Sequence, residues 1–265
     1  MVSFVKVARK LSFVEGWRHM QTVFKRYEKK YLITKEQYSA LLGMMISHNM
    51  EPGIHSDYLV QNLYFDTDNW DVARAAMERP FYKEKMRLRY YGPPGHETDV
   101  FLELKKKYKG VVYKRRISIP YASLSGSSVR DIVSEKASQI SRELEYYLKT
   151  NEVSEKIYIA YQRAAFTGAE SGEIRVTFDT DIRCRFNDLD FTRPPEGRPI
   201  LTRDNIIMEI KAAFGMPFWM ARALSEYMVF PMPFSKFGIC YTEFVSKREG
   251  SADDAGNEGM VKISA

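Results

Sequence analysis

Polar and apolar positions alternate along several short segments of this chain, and in three of them the polar positions are cationic. In KEKMRLRYYG, Lys85, Arg87 and Arg89 fall on one face of an extended chain while Met86, Leu88 and Tyr90 fall on the other, because strand side chains point alternately to two faces. VFLELKKKY sets Glu103, Lys105 and Lys107 against Leu102 and Leu104, and VVYKRRISI sets Lys114 and Arg116 against Tyr113, Ile117 and Ile119. The pattern predicts three strands between about residues 83 and 119, with one turn at Gly92, Pro93, Pro94 and Gly95 and another at Gly110. A solvated sheet face usually mixes charge with Thr, Ser and Gln. Repeated Lys and Arg side by side require an anion.

The remaining segments read as follows. Residues 24–33 form a first strand, and Thr34 opens a helix with Gln37 three residues on, a capping-box pattern, followed by Tyr38, Leu41, Leu42 and Met45 at helical spacing. A strand over 58–65 ends at Asp66, Thr67 and Asp68. A single long helix is predicted over 128–149, with Val133, Ala137, Ile140, Leu144 and Tyr147 on one face. Strands resume at 156–166, 173–181 and 205–212, Pro217 begins a helix running to about 228, and a last short strand falls at 238–244. Many strands with short connections and three interspersed helices indicate an α+β fold with antiparallel pairing. Closing that sheet into a barrel would place the cationic faces in its lumen. The chain divides into a leading segment at 1–23, one domain at 24–246 and a tail at 247–265 whose small and charged composition predicts disorder.

With 265 residues, 45% hydrophobic and 14% aromatic, the chain can build a substantial core. Lys and Arg exceed Asp and Glu by 40 to 34, a net charge of +6 that favours an anionic partner. No apolar run approaches the roughly 20 residues that cross a bilayer, and the N-terminus lacks the apolar core of a signal peptide, so a soluble, cytoplasmic protein is expected, with room left for a membrane-protein partner. Cys184 and Cys240 read as reduced packing residues. His19, His48, His55 and His96 show no paired spacing that would suit a histidine-based mechanism. Nucleic acid is not expected, because the basic residues are not interleaved with aromatics on one open face for base stacking.

Strand parity extends the charged face to Arg26, Glu28 and Lys30 on the first strand, Tyr161 and Arg163 on another, Arg175, Thr177 and Asp179 on the next, and Glu209 with Lys211 on the last. Many cations with a few carboxylates suit a polyanion and a divalent metal: Lys and Arg hold phosphate oxygens, and Glu supplies hard oxygen ligands for Mn²⁺ or Mg²⁺. From the residues alone Glu28, Glu103 and Glu209 read more readily as salt-bridge partners than as metal ligands, and Asp179 and Asp181 equally well as strand-end residues or metal ligands.

The pieces RYEKKYLI, LYFDT, KMRLRYYG, FLELKKK, YQRAAF, IRVTFDTDI, IIMEIK and PFSKF occur in the order seen in the VTC domain, which the chain resembles over about residues 24–244. That is the polyphosphate polymerase domain of the vacuolar transporter chaperone family and its bacterial relatives, within the triphosphate tunnel metalloenzymes of CYTH-like type. The resemblance implies an eight-stranded antiparallel closed β-barrel with a basic lumen and helices packed outside. It implies that Arg87, Arg89, Lys105 and Arg163 are catalytic phosphate clamps, and that Lys30, Lys114, Arg116, Tyr161, Ser235 and Lys236 bind substrate, joined on parity by Arg26, Arg175 and Lys211. Glu209 matches the metal-binding glutamate; Glu28 and Glu103 join it as candidate ligands. Two departures stand out. Triphosphatases and cyclases of the wider superfamily open with Glu-x-Glu-x-Lys, where this chain has Arg26, Glu28 and Lys30, and Pro233 occupies a position that is lysine in VTC polymerases.

The resemblance implies transfer of the ATP γ-phosphoryl group onto a growing polyphosphate chain, with ATP and polyphosphate as partners. Hydrolysis of triphosphate or short polyphosphate, and a non-catalytic polyphosphate-binding module, remain open alternatives.

Overall fold

The computed structural model describes residues 27–78, 81–92, 99–109, 111–168, 174–213 and 215–246. The leading segment, Arg26 and the tail lie outside them. One antiparallel sheet dominates. Its strands are β1 (Tyr27–Thr34), β2 (Met50–Asp66), β3 (Tyr82–Tyr91), β4 (Asp99–Tyr108), β5 (Val111–Pro120), β6 (Ser154–Gly168), β7 (Ile174–Arg185), β8 (Arg198–Pro199) and β9 (Asn205–Ala212). Eight of them follow the order β1-β9-β7-β6-β2-β3-β4-β5, and β8 pairs with β7 off this path. The helices are α1 (Lys35–Ser47), α2 (Asp71–Met77), α3 (Val129–Ser134), α4 (Gln139–Asn151), α5 (Phe218–Glu226) and α6 (Lys236–Tyr241).

Alternation sorts every strand into two faces. One face of β3 and β4, with Met86, Leu88, Tyr90, Val100, Leu102 and Leu104, packs under Val133 of α3 and Leu144, Tyr147 and Leu148 of α4. The matching face of β1, β7 and β9 packs Tyr31, Ile33, Val176, Phe178, Met208 and Ile210 under Leu41 and Met45 of α1 and Met220 and Leu224 of α5. The opposite face of the sheet curls around α6. There Val60, Tyr64, Ile157, Ile159, Tyr161, Ile182, Cys184 and Ile207 enclose Phe237, Cys240 and Tyr241. Both cysteines are free and buried in that cluster. A bulge in β7 makes this possible: Asp181 takes a left-handed backbone (φ 46°) where the β6–β7 register slips, so parity switches and Ile182 and Cys184 follow Asp179 onto the inner face.

The sheet is not a closed barrel. The path starts at β1 and ends at β5, which do not pair. The reason lies at the free edge of β1, where Tyr31 bridges to Pro231 and the Met232 amide donates to the Lys30 carbonyl at 2.9 Å. The segment entering α6 therefore occupies the edge that β5 would need. Across the remaining gap Lys105 of β4 lies 3.8 Å from Glu28 of β1.

Other differences have local causes. The capping box at α1 forms as expected, with Gln37 N–H donating to the Thr34 hydroxyl and Thr34 N–H to the Gln37 side chain. The single helix expected over 128–149 is two, because Ser138 starts a second capping box with Ser141 and breaks the run before Gln139. The segment expected as a strand over 238–244 is α6 followed by a π turn (Thr242–Ser246), capped by the Ser235 hydroxyl, which accepts from Gly238 N–H at 3.1 Å. A short apolar run does not by itself distinguish strand from buried helix. Helix α2 was not anticipated; the buried Asp66 carboxylate builds it by accepting from the amides of Thr67, Val72 and Ala73. Among the described residues, no helix is long and apolar enough to cross a membrane.

Two residues of α4 offer a test of this packing. Leu144 is fully buried under the sheet and Tyr146 faces solvent. Leu144→Ala should cost about 2–5 kcal/mol in urea unfolding, whereas Tyr146→Ala should stay within about 0.5 kcal/mol of the parent.

Candidate functional site

The inner face of the sheet is apolar around α6 and charged beyond its N-terminal end. The β3–β4–β5 register sets Arg87 opposite Glu103 and Glu103 opposite Arg116. Glu103, 2% exposed, sits among four cations. Arg87 donates to its Oε2 through Nε at 2.9 Å and Nη2 at 2.8 Å, Lys114 approaches Oε1 at 2.6 Å, Arg116 lies 3.6 Å from Oε1, and Arg89 lies 4.0 Å from Oε2. Burial pushes the Glu103 carboxyl up, but Arg87 and Arg89, followed by Lys114, outweigh it and bring it down to about 2. Further bonds fix the arginines: Arg87 Nη1 donates to the Tyr64 hydroxyl at 2.9 Å, and Arg89 Nε donates to Asn62 Oδ1 at 3.0 Å.

Asp179 anchors a second group. It is 1% exposed and accepts from Arg163 Nε at 2.6 Å, Arg163 Nη2 at 2.8 Å and Lys236 Nζ at 2.5 Å. Burial opposes ionisation here as well, and Lys236 and Arg163 overcome it to hold the carboxyl low. Tyr161 forms a platform beneath both cations, its ring centre 5.1 Å from the Arg163 guanidinium and 4.4 Å from Lys236 Nζ.

A third group spans β1 and β9, whose register opposes Lys30 to Glu209 and Glu28 to Lys211. Lys211 lies 3.2 Å from Glu209. The Glu209 carboxyl is held below its ordinary range, against burial, chiefly by Lys211 and Lys30, with Glu28 of β1 as a neighbour on the same face. Lys30 Nζ donates to the Phe234 carbonyl at 3.1 Å, and burial lowers its own affinity for a proton.

Of the residues expected from sequence, Arg87, Arg89, Lys114 and Arg116 meet at Glu103. Arg163, Tyr161 and Lys236 meet at Asp179, and Lys30, Glu28, Glu209 and Lys211 form the third group. Lys105 reaches Glu28 across the gap. Arg175 is exposed at the start of β7 beside Lys211, and Arg26 lies outside the described residues. Ser235 caps α6 and accepts from Lys85 Nζ at 3.1 Å, so its oxygen is already engaged. The three candidate metal ligands do not converge, and among the described residues no three such side chains gather into one metal site. Glu103 is held by cations. Glu28 and Glu209 lie together, and two neighbouring carboxylates suit a divalent ion that takes its other ligands from phosphate oxygens and water.

Lys85 is a member of this site that a motif-based residue set omits. It shares the parity of Arg87 and Arg89, and that signal alone could have found it. Burial, with Lys83, Lys30 and Lys105 adding to it against the pull of Tyr64, lowers its pKa to about 8. Tyr64 is also brought to about 8: burial opposes its ionisation, and Arg87 and Arg89 overcome that. Asn62 and Tyr64 carry no charge, and only packing reveals them.

Glu103→Gln should destabilise the fold by about 3–5 kcal/mol in urea unfolding, because it strands buried cations, and added triphosphate should recover more of this loss in the variant than in the parent. Since folding depresses this carboxyl, its stabilisation is full above pH 4.5 and is lost as pH falls through about 2. The parent should therefore show an acid-unfolding component in that window that Glu103→Gln lacks.

Among curated proteins none matches the sequence. Three of the solved structures that resemble it are a candidate adenylate cyclase from Vibrio parahaemolyticus (TM-score 0.45, 14% identity, covering 85% of this chain and 99% of that one), a protein from Pyrococcus horikoshii OT3 (0.44, 12%, 82% and 99%) and the Mimivirus capping enzyme triphosphatase (0.31, 9%, 76% and 88%). The VTC domain matches residues 25–245, which include every described strand and helix, and this chain belongs to the VTC domain family.

Proposed function

We propose that this chain is a polyphosphate polymerase that transfers the γ-phosphoryl group of ATP onto the end of a growing polyphosphate chain, releasing ADP. Membership of the VTC family supports chemistry on polyphosphate or triphosphate. The observation that carries the reading is the inner face itself: Lys30, Lys85, Arg87, Arg89, Lys105, Lys114, Arg116, Arg163, Lys211 and Lys236 converge there against only Glu28, Glu103, Asp179 and Glu209. The excess of positive charge needs a polyanion of several phosphates rather than one.

Phosphoryl transfer asks little covalent chemistry of a protein; catalysis is positioning and neutralisation of charge on the equatorial oxygens. Glu103 and Asp179 preset the cations for that task. Arg87 spends three of its five N–H donors on Glu103 and Tyr64, leaving two for a phosphate, and Arg163 spends two on Asp179. Arg87, Arg89, Lys105 and Arg163 clamp the transferring group and its neighbours, while Lys30, Lys211 and Lys236 guide the acceptor chain. Glu209 with Glu28 would hold Mn²⁺ or Mg²⁺, which supplies Lewis-acid polarisation of phosphate oxygens.

The deciding experiment incubates purified protein with ATP and Mn²⁺ and follows the products by gel and phosphorus NMR. Long-chain polyphosphate is expected, with loss of about 10²–10³ in rate for Arg89→Ala and no polymer from Glu209→Gln. Orthophosphate from triphosphate without polymer would instead assign hydrolysis, and bound polyphosphate with ATP intact would assign a binding module.

A pH series tests the inner face separately. Deprotonation of Lys85 removes a positive charge and ionisation of Tyr64 adds a negative one, so polyphosphate affinity should fall as pH rises through about 8. Lys85→Arg should flatten part of that decline in titration calorimetry, and Tyr64→Phe in the same background the rest.

A further inference from the structure

The β3–β4–β5 ribbon ends in a tip that the charged inner face does not use. Val111, Val112 and Tyr113 are consecutive in β5, so their side chains point alternately to opposite faces, yet they are 42%, 44% and 42% exposed. Among the described residues, neither face of the ribbon is buried at this point. Register places Val111 opposite Tyr108 and Tyr108 opposite Tyr82, with the two tyrosine rings 6.4 Å apart. Phe81, 80% exposed, is held against the turn by its carbonyl, which accepts from Lys109 N–H at 2.8 Å. Apolar and aromatic side chains are thus exposed on both faces of the tip, Tyr82, Tyr108, Val111 and Tyr113 on one and Val112 on the other, with Phe81 at its edge.

Charge surrounds the tip. Lys107 and Lys109 are exposed beside it, and Lys109 Nζ lies 5.4 Å from the Tyr108 ring centre. The one carboxylate of the ribbon near the tip, Glu84, is occupied by Lys106 at 3.0 Å and by the Tyr82 hydroxyl. The tip is therefore apolar, aromatic and net cationic together.

We propose that this ribbon tip docks on an anionic lipid surface. Tyr82, Tyr108 and Tyr113 suit the headgroup level, where an apolar ring and a polar hydroxyl are both accommodated. Phe81, Val111 and Val112 enter the apolar boundary beneath, and the lysines meet the negative surface potential. A lipid surface is favoured over a protein groove because it receives both faces of the ribbon at once. An apolar protein partner would also have no need of the flanking lysines.

The test is flotation of the purified full chain with vesicles of phosphatidylcholine alone and of phosphatidylcholine mixed with phosphatidylserine. Binding is expected only to the anionic vesicles and should weaken with salt. Each of Lys107→Ala and Lys109→Ala should lower the partition coefficient about fivefold, and a Phe81→Ser, Val112→Ser double variant should lower it at least as much as the two lysine changes together. Thermal unfolding of each variant checks that these exposed positions leave the fold intact. Absence of flotation, equal binding to neutral vesicles, or binding unchanged in the Phe81→Ser, Val112→Ser variant would each overturn the proposal. So would concentration-dependent dimerisation abolished by the same substitutions without vesicle binding, which would assign the tip to a second copy pairing along β5.

Discussion

Like charges repel, and this fold assembles ten of them on the inside of one curled sheet. Two buried carboxylates make that arrangement tenable. Glu103 neutralises the cations of β3 and β5 from the strand between them, and Asp179 ties β6, through Arg163, to the start of α6, through Lys236. The cost of burying an ion is offset only when geometry and hydrogen bonding are good; Asp179 meets donors at 2.5–2.8 Å and Glu103 Oε2 meets Arg87 at 2.8–2.9 Å, whereas Glu103 Oε1 has Lys114 2.6 Å away as an ion pair but no hydrogen bond of its own. Each anchor leaves its cations part of their bonding capacity. The same contacts that allow the sheet to fold with this face inward also hold the guanidinium groups in place before any phosphate arrives.

Helix α6 completes the arrangement. Its apolar side fills one part of the concave face with Phe237, Cys240 and Tyr241, and its first turn delivers Lys236 to Asp179 and Ser235 to Lys85. The chain leading into it runs along β1 and receives a bond from Lys30. Core packing and the charged site therefore share one short C-terminal element. Damage to its apolar contacts displaces charges as well.

Much of this was legible in the sequence where period and charge coincide. The face carrying Lys85, Arg87 and Arg89 follows from alternation alone, as do Lys114, Arg116, Glu209 and Lys211. What alternation cannot supply is which carboxylate meets which cation, since that depends on register between strands distant in the chain. Glu103 reads as a metal ligand until β5 is laid beside it, and Asp179 reads as a strand-end residue until Lys236 arrives from 57 positions away. The bulge at Asp181 and the helical state of α6 were hidden for a related reason: both are decided by tertiary packing of short apolar runs. Closure of the barrel failed as an expectation because the edge of β1 is claimed by a segment around Pro231 that carries no strand pattern of its own.

The gap between β1 and β5 has a consequence for polymer handling. A closed ring of strands admits a linear chain only by threading one of its ends. Here the two sides of the gap are joined, among the described residues, by the half-exposed pair of Lys105 and Glu28, a contact worth at most about 1 kcal/mol, and by the segment around Pro231, which bonds to β1 through its backbone and reaches Lys85 of β3 through Ser235. On the β3–β4 side those contacts are between side chains and no strand pairing has to be broken, so if the chain acts on polyphosphate as proposed, parting them would let the polymer enter or leave sideways, without presenting a terminus.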